Sequence, residues 1–448
     1  MAGPRVEGMG RANAARRAAM KSVQWVRLGL VGAMSALCAL ANGCGSGSGA
    51  VKTQVTAVAP TAMAAAPNAD VSAVVAGNNA FAVALAAQQP QGNLICSPYS
   101  VSSALAMTLD GARGETATQL QTALDYPWQG SRLNTVFNTL DADLSARTAA
   151  AGVTPGAFSL HLANATWLEQ NYTFLPAFVS DLQGYFGAPA QEMDFIGATE
   201  AARQTINAWA ATQTQQHIQN LIPPNGIDSN TAFVLTNAIY FHALWASAFK
   251  VAATANAPFT LIDGTQVSVP MMNQTGSFGY AAGSGWQALE MPYQGKQIVC
   301  DMVLPASGGF TAFQSGLSAQ QLTTILGSLQ TQPVIVSAPR FTITTTPPVD
   351  LKNTLIALGA TDAFIPGSAD FSGIDGKQDL CIGHVFHAGY VQVDEAGTTA
   401  AAATAVTGEA TAVPIENVFN ANQPFLFLIR DLPTGQILFW GWVMNPLG

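Results

Sequence analysis

A chain of 448 residues, 49% of them hydrophobic, has enough apolar side chain to bury a large core, which excludes disorder throughout. Charged residues are only 10% of the chain, so its surface must be largely neutral and polar. Without the first 43 residues, 11 Lys and Arg stand against 25 Asp and Glu, and this net charge of −14 argues against nucleic acid or an anionic membrane surface as a partner.

Those first 43 residues (1–43) read as an export signal. Arg5, Arg11, Arg16, Arg17, Lys21 and Arg27 precede an apolar run over 28–41. A run of about 14 residues suits the hydrophobic part of a signal and falls short of the roughly 20 needed to cross a bilayer. Two processing sites compete, Ala39-Leu40-Ala41 for ordinary signal peptidase and Gly43-Cys44 for lipoprotein processing. The GSGSG that follows has the character of a tether and favours lipidation of Cys44. Display at the outer membrane or cell surface is then expected, through the lipid anchor alone, with secretion as the alternative. Residues 44–69 are mostly Gly, Ala, Val, Thr and Pro, a linker composition, and a single domain is expected over 70–448.

Within that domain, apolar residues at helical spacing predict helices over 75–87, 100–109, 176–186, 200–222 and 350–358. Strand signals dominate the second half. The run 259–269 is broken by Asp263-Gly264, a hairpin turn, and 334–346 is rich in β-branched residues. The nearly continuous apolar runs 425–429 and 437–443, around Pro433-Thr434-Gly435, predict a hairpin buried on both faces. Helices first and strands later point to an α+β domain. Cys96, Cys300 and Cys381 lie far apart with no CxxC spacing, so buried free thiols are expected, with neither a zinc site nor a disulfide framework. There is no GxSxG, HExxH, P-loop or GxGxxG motif, and the five histidines have no metal-binding spacing. No enzyme, metal or cofactor is therefore expected.

One stretch does not fit a compact domain. GTTAAAATAVTGEATAV, over 397–413, contains only Gly, Ala, Thr and Val apart from Glu409, yet lies between the strand-like VFHAGYVQV and FNANQPFLFLI. Roughly 20 structureless residues inside a domain are uncommon and usually functional. Neither proline nor charge occurs between Gly397 and Val406. Such a run can become a central strand without losing a ladder donor or burying an ion.

The chain resembles the serpin family, in its bacterial, inhibitory form, from about residue 70 to the C-terminus. The likeness is carried, in the family's order, by NLICSPYSVSSALAMTLDGARGET (93–116), LANATWLEQNYTFLPAFVSDLQGYFGA, LTNAIYFHALWASAF (235–249), VDEAGTTAAAATAV (393–406) and FNANQPFLFLIRDLPTGQILFWGWVMNP. The resemblance implies three β-sheets, about eight or nine α-helices and an exposed reactive-centre loop over 397–418. It also implies a monomeric suicide inhibitor whose cut loop holds a serine protease as a covalent acyl-enzyme while inserting into the large sheet. Glu395, Gly397, Thr398, Thr399, Ala400, Ala401, Ala402, Ala403 and Thr404 would form the hinge. Thr398, Ala400, Ala402, Thr404 and Val406 would face inward, and Thr399, Ala401, Ala403 and Ala405 outward. Fourteen residues on from Gly397 the cut would fall between Thr411 and Ala412, small residues that suit the shallow pocket of elastase-like or subtilisin-like proteases.

Ser97, Ser100, Asn237 and His387 would form a polar cluster beneath the parting strands. Trp245 would mark where insertion begins, and Arg340 would pair with Glu395 at the loop base. Two departures stand out: INAWAATQTQQHI places Gln216 and His217 where the family often has a Gly-Lys pair, and Ala388 replaces an often basic residue. The alternative is a non-inhibitory carrier or folding helper of the same fold. Such members generally carry bulky, charged or proline residues in the hinge, and this chain has none between Gly397 and Val406.

Overall fold

In the computed structural model, which describes residues 63–89, 92–147, 154, 157–398 and 417–448, helices come first. The segment 1–43, Cys44 and most of the linker after it lie outside the described residues. Helix α1 (Asn68–Ala87) is long and apolar enough to cross a membrane by length and composition, yet it turns Val74, Val75, Phe81 and Leu85 into the domain core. After β1 (Leu94–Cys96), α2 (Pro98–Gly111) starts where the Ser97 hydroxyl oxygen accepts the Ser100 N–H and Pro98 presets the first turn. Then come α3 (Gly114–Ala123), α4 (Ser131–Ala146), β2 (Phe158–Glu169), α5 (Pro176–Phe186), β3 (Ala190–Met193) and α6 (Thr199–Gln213). Helix α6 stops well short of the predicted end at 222. The Thr214 hydroxyl turns back onto the Ala210 carbonyl, and Gln215 and Gln216 adopt φ of 49° and 68°, which breaks the helical ladder.

The second half is built mostly from strands: β4 (Phe233–Leu244), β5 (Ala255–Thr260), β6 (Gln266–Gly283), β7 (Trp286–Pro292), β8 (Ile298–Pro305), then α7 (Phe310–Gly316) and α8 (Ala319–Gly327). They are followed by β9 (Gln330–Pro339), β10 (Phe341–Thr344), β11 (Val349–Asp350), α9 (Lys352–Ala357) and α10 (Ser372–Asp375). The chain ends with β12 (Phe386–His387), β13 (Tyr390–Val393), β14 (Gly397–Thr398), β15 (Asn417–Asn420), β16 (Phe425–Asp431) and β17 (Ile437–Val443). The strands form three sheets: a nine-stranded one ordered β1-β17-β16-β8-β7-β6-β9-β15 with β5 beside β6, a six-stranded one ordered β10-β13-β14-β4-β2-β3, and the pair β11-β12. Counting the short α9 and α10, the described residues hold ten α-helices, in keeping with the expected fold of three sheets and about eight or nine helices.

Both predicted hairpins form. Gly264 at φ 84° turns β5 into β6, and every residue of β16 and β17 is buried, as two-faced packing of a continuous apolar run requires. The predicted helix 350–358 is shorter, because Asp350 is drawn into β11 against Phe386 and its carboxylate instead accepts the Lys352 N–H. The predicted strand 334–346 is two strands in different sheets. The break falls at Arg340, whose N–H still bonds the Pro270 carbonyl of β6, while the next residue, Phe341, already pairs with Val393 of β13 in the other sheet. Helices and strands are not segregated: β2, paired with β4 along almost its whole length, lies among the helices of the first half. Cys96 and Cys300 are buried free thiols and Cys381 is half-buried. Burial pushes the Cys96 thiol up to about 12.

Candidate functional site: a loop hinge entering a gapped sheet

Among the described residues, the six-stranded sheet holds only the two residues of β14 between β4 and β13. Gly397 pairs with Leu244, while Thr398 pairs with Ala243 on one side and Val393 on the other. Beyond β14, no ladder joins β4 to β12 or β13 among the described residues. The stretch expected as exposed loop from 397 therefore begins as buried strand. Thr398 is 1% exposed, and its hydroxyl shares a 2.7 Å hydrogen bond with the Tyr293 hydroxyl. At the far end Asn417 and Val418 already belong to β15, parallel to β9. A Cβ on Gly397 would lie 2.0 Å from the Ala243 carbonyl oxygen and 2.7 Å from Leu244 Cα, so only glycine fits against β4. Thr399, Ala400, Ala401, Ala402, Ala403, Thr404, Thr411 and Ala412 lie outside the described residues.

The turn before β14 is held by backbone and aromatic contacts. The Asp394 carboxylate accepts the N–H groups of Ala396 (2.9 Å) and Gly397 (3.2 Å). Trp245 donates its indole N–H to the Asp394 carbonyl at 3.0 Å and its backbone N–H to the Ala396 carbonyl at 2.9 Å. Its ring stacks on Tyr293, with centroids 4.5 Å apart and planes 9° from parallel. Arg340 and Glu395 do pair, at 2.5 Å, and the Thr254 hydroxyl gives Glu395 a second donor at 2.7 Å. Burial alone would raise the Glu395 carboxyl; the bonds from Arg340 and Thr254 outweigh it and hold the group below the usual range. Arg340 is 44% exposed, so the pair itself contributes at most about 1 kcal/mol, less than the buried contacts around Trp245.

The four polar residues come together under the gap. The Ser97 N–H donates to His387 Nε2 at 3.0 Å, and the Ser97 hydroxyl donates to the Leu438 carbonyl at 2.7 Å. The Ser100 hydroxyl bonds Asn237 Oδ1. A fifth member was not singled out from the sequence: Asn164, directly opposite Asn237 on β2, accepts from its amide at 2.6 Å and donates to the Phe186 carbonyl at 2.7 Å. The motif LANATW carries no sign of this role, because the place of Asn164 depends on the β2–β4 register. Next to the cluster a cavity of about 520 Å³ opens between the 233–237 part of β4 and segment 379–387, over Val101, Ala104 and Leu105 of α2.

Burial pushes His387 down to about 4, so its ring is neutral at pH 7, and acceptance at Nε2 leaves the proton on Nδ1. The unfolded chain takes up this proton near pH 6.5 and the folded protein only near 4. Stability from this residue is thus fully present above about 6.5 and lost between 6.5 and 4, by roughly 3 kcal/mol in all. Asp141, raised to about 7 by burial, works in the opposite sense over the same range. It is common to wild type and His387→Gln, so the difference between them isolates the histidine. In urea unfolding from pH 7.5 to 4.5 the wild type should lose stability relative to His387→Gln as the pH falls, whatever the slope of each profile, and parallel profiles would assign the acid sensitivity elsewhere.

Comparison with known proteins agrees with this geometry. The family model described as serpin (serine protease inhibitor) matches residues 76–446. The chain is 38% identical over 384 residues to the leukocyte elastase inhibitor of Bos taurus, covering 83% of this chain and 99% of that protein. It is 37% identical over 373 residues to the leukocyte elastase inhibitor of Homo sapiens (81% and 96%), and 36% over 357 residues to an uncharacterized serpin-like protein of Thermococcus kodakarensis (79% and 81%). Among solved structures it resembles the thermophilic serpin tengpin in its native state, with a TM-score of 0.74 at 26% identity over 88% of this chain and 98% of that one. It also resembles uncleaved ovalbumin, with a TM-score of 0.74 at 27% identity over 84% and 100%. A match that spans hinge, sheet and terminal hairpin alike places the chain in the serpin family of serine protease inhibitors.

Proposed function

We propose that this serpin inhibits serine proteases as a suicide substrate, by carrying its cut loop into the gap between β4 and β13. The observation that carries the reading is the register of β14. Continued without a bulge, the pairs Thr398 with Ala243 and Thr398 with Val393 bring Thr404 between Asn237 and His387, at the polar cluster. The same register runs Val406 past Leu235 and Gly408 past Phe233, beside the cavity. Thr398 faces the core, so Ala400, Ala402, Thr404 and Val406 would follow it inward. None is larger than valine. Hydroxyls, an amide and a neutral imidazole can exchange hydrogen-bond partners as strands part, which apolar groups cannot.

In the reaction, the protease serine oxygen attacks the Thr411 carbonyl carbon and the bond to the Ala412 nitrogen breaks. Ala412 leaves as an amine with the transferred proton, and Thr411 remains as an ester on the enzyme. Insertion before water hydrolyses that ester traps the protease. The small residues around 411 and the names of the mammalian relatives support an elastase-like target. The N-terminal 44 residues support export, with Cys44 as lipid anchor. The fold also occurs in thyroxine-binding globulin complexed with thyroxine (TM-score 0.71, 27% identity). A carrier role has less support here, because the hinge from Gly397 to Val406 holds no bulky, charged or proline residue.

Incubation with an elastase-like and a subtilisin-like protease should give an SDS-resistant complex, and mass spectrometry of the released C-terminal peptide should place the cut within 409–413. Cleavage of the loop without any complex, leaving the melting temperature unchanged, would overturn the reading in favour of a carrier.

A further inference from the structure

We propose that His217 is a latch across the opening of the six-stranded sheet, a positioning residue that sets how fast a strand can enter it. The inference rests on the insertion reading above. The gap is bordered by β4 and β13, and on the outer face each border carries a tyrosine, Tyr240 and Tyr390. The His217 ring stacks on Tyr390 at 3.9 Å and 16°, and lies parallel to Tyr240 at 5.9 Å and 7°. One imidazole therefore spans both borders. Burial holds it below the ordinary histidine range, so at pH 7 it stacks as a neutral ring.

The backbone that delivers this ring is strained. Gln215 and Gln216, the two residues before it, both sit in the left-handed region at φ 49° and 68°. Non-glycine residues are rare there, and such strain persists where the surroundings enforce it. The His217 N–H returns to the Thr214 carbonyl at 3.0 Å, which fixes the turn over the sheet. Neighbouring strands lie about 4.8 Å apart, so a strand entering between β4 and β13 runs directly beneath the imidazole, and its outward side chains compete with the ring for the space between the two tyrosines. In the register of β14, residue 401 enters between Tyr240 and Tyr390. The latch must release when the third residue after Thr398 arrives.

Two measurements test this on the full chain: the rate at which a fluorescent synthetic peptide of sequence 399–408 anneals to the uncleaved protein, and the number of inhibitor molecules consumed per protease. His217→Ala should anneal the peptide about 2- to 10-fold faster, the weight of one aromatic contact, and consume fewer molecules per protease. His217→Phe, which keeps a flat ring, should behave as wild type. Tyr390→Ala should match His217→Ala, and the double variant should add nothing. A merely structural histidine would lower stability in urea without changing the annealing rate. Unchanged rates in His217→Ala, a Phe variant that behaves as the Ala variant, or annealing in none of the proteins would overturn the latch. Latch-dependent annealing without any stable protease complex would sink the inhibition reading and leave the latch standing. A stable complex with rates indifferent to every variant would do the reverse.

Discussion

Replacing Thr398 by arginine should turn the protein from an inhibitor into a substrate. Thr398 is 1% exposed between β4 and β13, and the nearest polar side-chain partner is the buried Tyr293 hydroxyl. A guanidinium there brings five donors and a charge into a site with one hydroxyl, at a cost of several kcal/mol. Because the wild-type residue is already in the sheet, Thr398→Arg should first expel β14 from the uncleaved protein and lower its stability by about 3 kcal/mol. It should then block the strand that follows. The protease still cuts at Thr411, but the ester now has time to hydrolyse and the enzyme leaves. Loop cleavage should raise the melting temperature of the wild type markedly and that of the variant much less. Thr398→Ser, which keeps the hydroxyl for Tyr293, should inhibit normally. If Thr398→Arg inhibits with unchanged stoichiometry, a conformational trap is the wrong mechanism for this chain.

The second large effect is on the choice of protease. Thr411→Arg should weaken inhibition of an elastase-like enzyme and create inhibition of a trypsin-like one, each by at least about 100-fold. A shallow pocket cannot take the long side chain, whereas a pocket with a buried carboxylate rewards a cation and rejects a residue that leaves that charge unpaired. Inhibition rates against both enzymes measure the exchange. A cut mapped outside 409–413, or rates unchanged toward both enzymes, would place the reactive bond elsewhere. Combining Thr411→Arg with Thr398→Arg should abolish trapping of either protease while leaving cleavage intact, because target choice and insertion reside in different residues of the loop.

The sequence alone determined what local pattern can encode. A run of small side chains without proline is open to strand formation, and its first two residues do form β14, while two unbroken apolar runs around Pro433-Thr434-Gly435 mark a hairpin buried on both faces. The motifs around Ser97, Ser100, Asn237 and His387 named most of a cluster whose members lie as much as 290 residues apart. Tertiary structure decided which partners those residues meet. Tyr293 reaches Thr398 across 105 residues, Asn164 faces Asn237 across 73, and Thr254 joins Glu395 across 141. Each contact depends on strand order and register, and register leaves no mark in a single strand's own sequence. The same holds where prediction and structure part. Arg340 ends one strand because its neighbours belong to two sheets, α6 ends early because Gln215 and Gln216 turn the chain so that His217 reaches Tyr240 and Tyr390, and Gly397 and Thr398 lie in the sheet because β4 leaves room for a residue without a Cβ beside a buried tyrosine hydroxyl.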